Sequence, residues 1–131
     1  MINLTRRERD CLVVILSTQS EFPVRLAQIA KTLKVKAPTA LDVIERLSKK
    51  KLVKDSGGMV VATEKGKEVY RRIMAAHRCF EILLTESGIS PDEACKQVRE
   101  FDYLIEPGMT GKVLKHIGNP KRCPHGKPVL V

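Results

Sequence analysis

The chain reads as a mainly α protein, with an N-terminal winged helix-turn-helix over residues 1–63 and an all-helical second part over residues 64–131. Three observations predict this. First, Arg25–Leu33 carries apolar residues at 26, 29, 30 and 33, the i, i+3, i+4, i+7 pattern of a helix face. Lys34-Val35-Lys36 breaks the pattern and Ala37-Pro38-Thr39 restarts it, with Leu41, Ile44 and Leu47 marking the buried face of a second helix. Second, two β-prone segments, Leu52-Val53-Lys54-Asp55 and Met59-Val60-Val61-Ala62, flank Ser56-Gly57-Gly58 and predict a small β-hairpin wing. Third, helical spacing returns beyond Thr63, with apolar residues at 69, 73, 76, 80, 83 and 84.

Each element has a local cause. Thr5-Arg6-Arg7-Glu8 has the S/T-x-x-E form of a capping box, in which Thr and Glu satisfy backbone donors at a helix start. Leu12, Val13 and Leu16 continue that helix, which is expected to end near Ser20. Phe22-Pro23 separates it from the next, because the residue before proline avoids helical dihedrals. Pro38 suits the first turn of the second helix of the pair. Thr63-Glu64 caps a long helix expected to reach about Glu86. Ser90-Pro91-Asp92-Glu93 opens another helix, with Ser90 as cap, Pro91 in its first turn and acids at its positive end. Its apolar stripe is read through Ala94, Val98, Phe101 and Ile105. Pro107-Gly108 precedes a last short helix to about Ile117, and the tail from Gly118, rich in Pro and Gly, is expected to be irregular.

Composition gives direction. At 131 residues with 43% apolar content, the chain is long enough for one compact unit or two small subdomains. Residues 1–76 hold 16 Lys/Arg against 8 Asp/Glu, whereas residues 77–131 hold 8 against 7. Nearly all of the net charge of +9 therefore sits with the helix-turn-helix, which suits a polyanion-binding front joined to an assembly or sensing back. No apolar run reaches the roughly 20 residues of a membrane span, and the N-terminus lacks the apolar core of a secretory signal. The expected compartment is the cytoplasm, with Cys11, Cys79, Cys95 and Cys123 as reduced thiols or metal ligands.

A helix presented after such a turn is the part that enters a DNA major groove, so double-stranded DNA is the expected partner. Lys36, Ala37, Pro38, Thr39, Leu41 and Asp42 lie at the start of that helix. Thr39 suits a phosphate or a thymine methyl, Lys36 a phosphate or a guanine edge, and Leu41 an apolar contact. Asp42 suits a cytosine amino group, and equally repels phosphate. Arg46, Lys49, Lys50, Lys51 and, on the wing, Lys54 are expected to neutralise phosphates; for any one of these lysines a solvated surface charge is the competing reading.

The second half holds a different chemistry. His77 and Glu81 lie four apart on the long helix and share a face, which suits a divalent transition metal or an ordinary hydrogen bond. In an extended tail Cys123 and His125 project to the same side and suit one ion, or His125 latches a packed loop. Cys95 and Asp102 are secondary candidates, two helical turns and roughly 10 Å apart along one axis, and are not expected to chelate the same ion. Cys11, Cys79 and His116 are read as core or surface residues. No Ser/His/Asp set, Gly-rich phosphate loop or paired carboxylates is present, so an enzyme is not expected.

These residues together resemble the metal-dependent repressors related to the diphtheria toxin repressor and the manganese transport regulator. The likeness is carried by Ile29-Ala30 to Thr39, His77-Arg78-x-x-Glu81, Gly88-Ile89, Asp92-Glu93-Ala94-Cys95, Gly118-Asn119-Pro120 and Cys123-Pro124-His125-Gly126-x-Pro128. It implies a homodimer whose winged helices read a palindromic operator, with the helices after residue 63 forming a metal-binding and dimerisation domain. The SH3-like domain of some members is not expected within these 131 residues. The family's first-helix ligand is replaced by Arg9 with Asp10 adjacent, an arginine that opposes a cation by repulsion. Its Glu-His pair after the Cys95 position becomes Val98-Arg99 or, with a short slip, Phe101-Asp102, and its histidine before Asp92 is Pro91. His77 and Glu81 match the family's ancillary-site ligands. The expected ligand set is therefore His77, Glu81, Cys123 and His125, for zinc, iron or manganese, with a structural zinc among the outcomes. The competing readings are a metal-independent regulator answering to thiol oxidation or a small ligand, and a winged-helix protein-interaction module.

Overall fold

The computed structural model describes residues 2–17 and 23–129. The expected end of the first helix near Ser20, and Phe22, lie outside the described residues. The chain folds as two compact units, Leu4–Tyr70 and, as the second, Arg71–Val131 with Met1–Asn3.

In the first unit, α1 (Arg6–Ser17) starts from the expected reciprocal cap: Thr5 Oγ1 accepts from the Glu8 N–H at 3.1 Å and Glu8 Oε1 accepts from the Thr5 N–H at 3.0 Å. A short strand β1 (Val24–Arg25) leads into α2 (Leu26–Leu33), and α3 (Ala37–Lys49) follows with a proline in its first turn. Between them Lys34 adopts a left-handed φ of 58°, and the Val35 N–H bonds back to the Ala30 carbonyl at 3.0 Å. This six-to-one closure ends α2 and redirects the chain into α3. Ile15, Ile29, Ile44 and Leu47 are fully buried, so most of the stripes read from sequence face the core; Leu41, read as part of the buried face of the second helix, is instead 37% exposed.

The wing is β2 (Val53–Ser56) and β3 (Met59–Ala62), joined by the two residues Gly57 and Gly58 at φ 61° and 86°. Positive φ at both turn positions matches the right-handed twist of the strands, which explains the glycines. β1 pairs antiparallel with β3, Val24 opposite Val60, so the sheet has three strands in the order β1-β3-β2 where the sequence predicted two. Two residues carry too little alternation to announce a strand.

The helix α4 (Glu64–Glu86) begins with Thr63 Oγ1 accepting from the Gly66 N–H at 3.0 Å. It contributes Glu64–Tyr70 to the first unit and Arg71–Glu86 to the second. In the second unit, α5 (Pro91–Val98) is capped by Ser90 as expected but ends earlier than the apolar stripe suggests. After it the chain makes a 3-10 turn at Asp102–Leu104 and then α6 (Pro107–His116). Phe101 leaves the helical line and meets Phe80 edge-on, ring centroids 5.4 Å apart. The tail is more ordered than its Pro and Gly content predicts: Arg122 bridges Pro128, and the Gly126 N–H bonds to the Cys123 carbonyl at 2.8 Å, closing a tight turn. Among the described residues no helix is long and apolar enough to cross a membrane.

Candidate metal centre and nucleic-acid interface

The exposed side of α3 opens with Lys36, Ala37 and Pro38, continues with Leu41 and Asp42, and ends with Lys49; Thr39 and Arg46 are half-buried. Lys54 is exposed on the wing. Asp42 is not isolated, since its Oδ2 lies 3.3 Å from Arg46 Nη2, one turn along the helix. Lys50 has a partner within the unit that the sequence did not suggest. Its ammonium bonds both carboxylate oxygens of the buried Glu8, at 2.7 and 3.0 Å, so it ties the end of α3 to α1. Burial alone would raise the Glu8 carboxyl, but the bonds from Lys50 and Thr5 outweigh it and hold it below the ordinary carboxylate range. The sequence showed Glu8 as a cap and Lys50 as one of three lysines; their 42-residue separation concealed the pair. Arg9 is buried as well, with its guanidinium 3.0 Å from Asp10.

In the second unit the chemistry gathers on α4. Four residues of separation place His77 and Glu81 on one face, and His77 Nε2 lies 2.9 Å from Glu81 Oε1. Cys95, brought in by α5, lies 3.4 Å from the same nitrogen. The other ring nitrogen, Nδ1, is 2.9 Å from Asp102 Oδ2. Cys95 and Asp102 thus meet opposite edges of one imidazole, because α5 stops at Val98 and the turn swings Asp102 round. The expectation of a single helical axis carrying both is replaced by this arrangement. The second carboxylate oxygen, Glu81 Oε2, lies 2.8 Å from His125 Nδ1. Cys123 and His125 do project together, but a turn and not an extended segment aims them. His125 Nε2 also lies 3.4 Å from Asp92, a neighbour the sequence did not suggest.

Among the described residues these groups form two clusters, His77-Glu81-Cys95 and Glu81-Cys123-His125, in each of which the donor atoms lie within 4.8 Å of one another. Glu81 belongs to both, one oxygen to each, and is 2% exposed. Tetrahedral zinc needs donors at about 3.5 Å from each other, so adjustments on the scale of a side-chain rotation suffice. One imidazole, one thiol and one carboxylate oxygen per cluster is a set suited to zinc or ferrous iron over magnesium or calcium. The donors present fit a divalent transition ion.

The electrostatics follow from burial and pairing. Burial alone favours a neutral His77, but the carboxylates of Asp102 and Glu81 on its two nitrogens push its pKa up to about 9. Burial likewise raises Glu81, yet the bonds from His77 and His125 outweigh it and hold the carboxyl below its ordinary value. Burial pushes the Cys79 and Cys11 thiols up to about 11 and about 12, marking them as packing residues. Arg78 donates to the Pro128 carbonyl, a second tie between α4 and the tail.

Comparisons with known proteins bear on both regions. The family model described as the metal-binding and dimerisation domain of iron-dependent repressors matches residues 63–130. A curated HTH-type transcriptional regulator of Aeropyrum pernix is 29% identical over 111 residues, covering 81% of this chain and 59% of that protein. Among solved structures, a hypothetical protein from Sulfolobus solfataricus is 33% identical with a TM-score of 0.83, covering 98% of this chain and all of its own. The T. acidophilum IdeR structure is 26% identical with a TM-score of 0.73, covering 98% of this chain and 61% of that one. A manganese-dependent transcriptional repressor solved with manganese is 28% identical with a TM-score of 0.79, covering 93% of this chain and 57% of that one. The chain therefore spans about three fifths of the length of the curated relative and of these last two solved proteins.

Proposed function

Since the chain belongs to the iron-dependent repressor family, we propose that it is a homodimeric, sequence-specific DNA-binding transcription repressor that responds to a divalent transition metal. The observation that carries this reading is the sharing of Glu81 between two three-donor clusters on α4. The proposed ligands are His77, Glu81 and Cys95 in one cluster and Glu81, Cys123 and His125 in the other. Asp102 is a positioning group: by holding Nδ1 it turns Nε2 toward the ion and strengthens the imidazole as a donor. Held by these residues, an ion would supply positive charge between α4 and α5 and between α4 and the tail. Dimerisation has a physical reason, because one small winged helix makes few base contacts and two heads about 34 Å apart double them. Residues 1–63 are proposed as the DNA-binding domain and 64–131 as the metal and dimer domain.

Elemental analysis of the purified protein, paired with duplex binding before and after chelation, tests the proposal. Bound transition metal and tighter DNA binding in its presence are expected; equal affinity in both states removes the metal response. A second reading has an observation of its own. Asp102, His77, Glu81, His125 and Asp92 form one continuous chain of hydrogen-bonded pairs, a connected network that also suits a metal-independent regulator. His77→Ala and His125→Ala with unaltered DNA affinity favour that reading. Absence of salt-dependent duplex binding favours a protein-interaction module.

Two further outcomes follow. Lys49→Ala and Lys54→Ala are each expected to reduce the log–log salt slope of duplex binding by about 0.9. Lys50→Ala is expected to leave that slope unchanged and to lower stability, since Glu8 is left buried without its ammonium. A salt slope that falls only in Lys50→Ala contradicts the assignment.

The pH dependence has a definite sign. The folded, metal-free His77 pKa of about 9 lies above the ordinary 6.5, so its ion pairs stabilise fully below pH 6.5 and are lost as pH rises through 9. An ion competes with the same proton, so zinc affinity strengthens over the window in which the metal-free fold weakens. Denaturant unfolding in chelator at pH 6.5, 8 and 9.5, beside zinc titrations at those values, reads both trends. Equal stability across the series contradicts the pairing.

A further inference from the structure

Within the proposed DNA reading, α3 presents a carboxylate, Asp42, on the face that meets a polyanion. Asp42 is 68% exposed in the second turn of the helix, on the side that also presents Pro38 and Leu41. A bare carboxylate there would be repelled by phosphates. Arg46, 3.3 Å away, offsets that charge and restrains the side chain from one turn behind. Neutralised but still outward, the group retains acceptor capacity and offers no donor.

That chemistry discriminates among bases. In the major groove guanine presents O6 and N7 and thymine presents O4, all acceptors that a carboxylate repels. Adenine offers its N6 amino group beside the N7 acceptor, so a carboxylate gains one contact and meets one lone pair. Cytosine offers N4–H₂ with no acceptor beside it on that edge, and suits Asp or Glu. Residues at the N-terminal end of a recognition helix are those that reach base edges, which favours Asp42 over the exposed Glu45 nearly a turn further on. Resting on the DNA reading, we infer that Asp42, positioned by Arg46, is a specificity-determining residue that selects a cytosine in each operator half-site.

The test is selection from a random duplex library by the full-length protein with zinc added, followed by competition binding. Wild type is expected to require cytosine at one position of each half-site, with roughly tenfold or greater loss on replacing that base. Asp42→Asn should move the preference at that position to adenine, because an amide matches N6 and N7 together. Asp42→Ala should flatten the preference there and nowhere else, and Glu45→Gln should leave it intact. Arg46→Ala should weaken the cytosine preference in the wild-type background, Arg46→Lys should restore part of it, and Arg46→Ala should leave the base preference unaltered when combined with Asp42→Asn. Asp42 and Arg46 are outside the core, and thermal unfolding of each variant checks that the fold is intact. Duplex binding with the same selected site in Asp42→Asn, or a switch produced by Glu45→Gln instead, overturns this inference and leaves the DNA reading standing. Wild type without salt-dependent duplex affinity overturns the DNA reading, and this inference with it.

Discussion

Gly66→Ala is expected to destabilise the N-terminal unit by about 2–4 kcal/mol, the overpacking range plus lost hydrogen bonds to one carbonyl. A Cβ built at Gly66 falls 2.1 Å from the Leu52 carbonyl oxygen and 3.0 Å from its carbon. That oxygen is fixed, accepting from the Thr63 N–H at 3.0 Å and from Thr63 Oγ1 at 3.1 Å. Leu52 itself is fully buried, and its N–H bonds the Leu47 carbonyl at 3.0 Å. Backbone on both sides must therefore move to admit one methyl group. Helix propensity alone argues the opposite, since alanine is favoured over glycine by roughly 1 kcal/mol in a helix interior; the clash is the larger effect. For a unit of this size the loss corresponds to a fall in Tm of roughly 10 °C or more. Thermal or urea unfolding reads it, and a variant as stable as wild type would show that the Leu52–Gly66 approach is looser than described.

Glu81→Gln has the largest expected effect on metal. The substitution preserves shape and removes the one carboxylate that both clusters share. Loss of an outer-shell partner alone typically costs 10–100-fold in metal affinity, so loss of a shared ligand is expected to cost roughly 100-fold or more at each cluster. Competition against a chromophoric zinc chelator reads the loss. Asp92→Asn is the comparison: Asp92 is exposed and 3.4 Å from His125 Nε2, so its removal should have a much smaller effect. A Glu81→Gln protein with wild-type zinc affinity would remove Glu81 from the ligand set. In metal-free protein the same variant should also lower the His77 pKa, because one of its two anionic partners is gone.

Much of this architecture was legible without coordinates, and the reasons are local. The four-residue spacing of His77 and Glu81 compels a shared helix face whatever surrounds them. The capping residues Thr5, Thr63 and Ser90 act within three residues of themselves, and all three accept the expected backbone N–H. The two glycines of the wing answer to backbone dihedrals at their own positions. The stripes of α2 and α3 and the segregation of positive charge are likewise properties of sequence order.

What sequence order could not reveal concerns partners distant along the chain. That Glu8 receives Lys50 from 42 residues away, that Gly66 lies beneath the Leu52 carbonyl, and that β1 joins β3 all depend on packing. The same holds for the early end of α5, after which Phe101 meets Phe80 edge-on where the stripe had implied a continuous helix. That bend puts Asp102 on the far nitrogen of His77, and the tail turn delivers His125 to the free oxygen of Glu81. Side-chain type and local spacing select which atoms are able to bind; only the closing of distant segments, driven by burial and completed by hydrogen bonds, decides which of them meet.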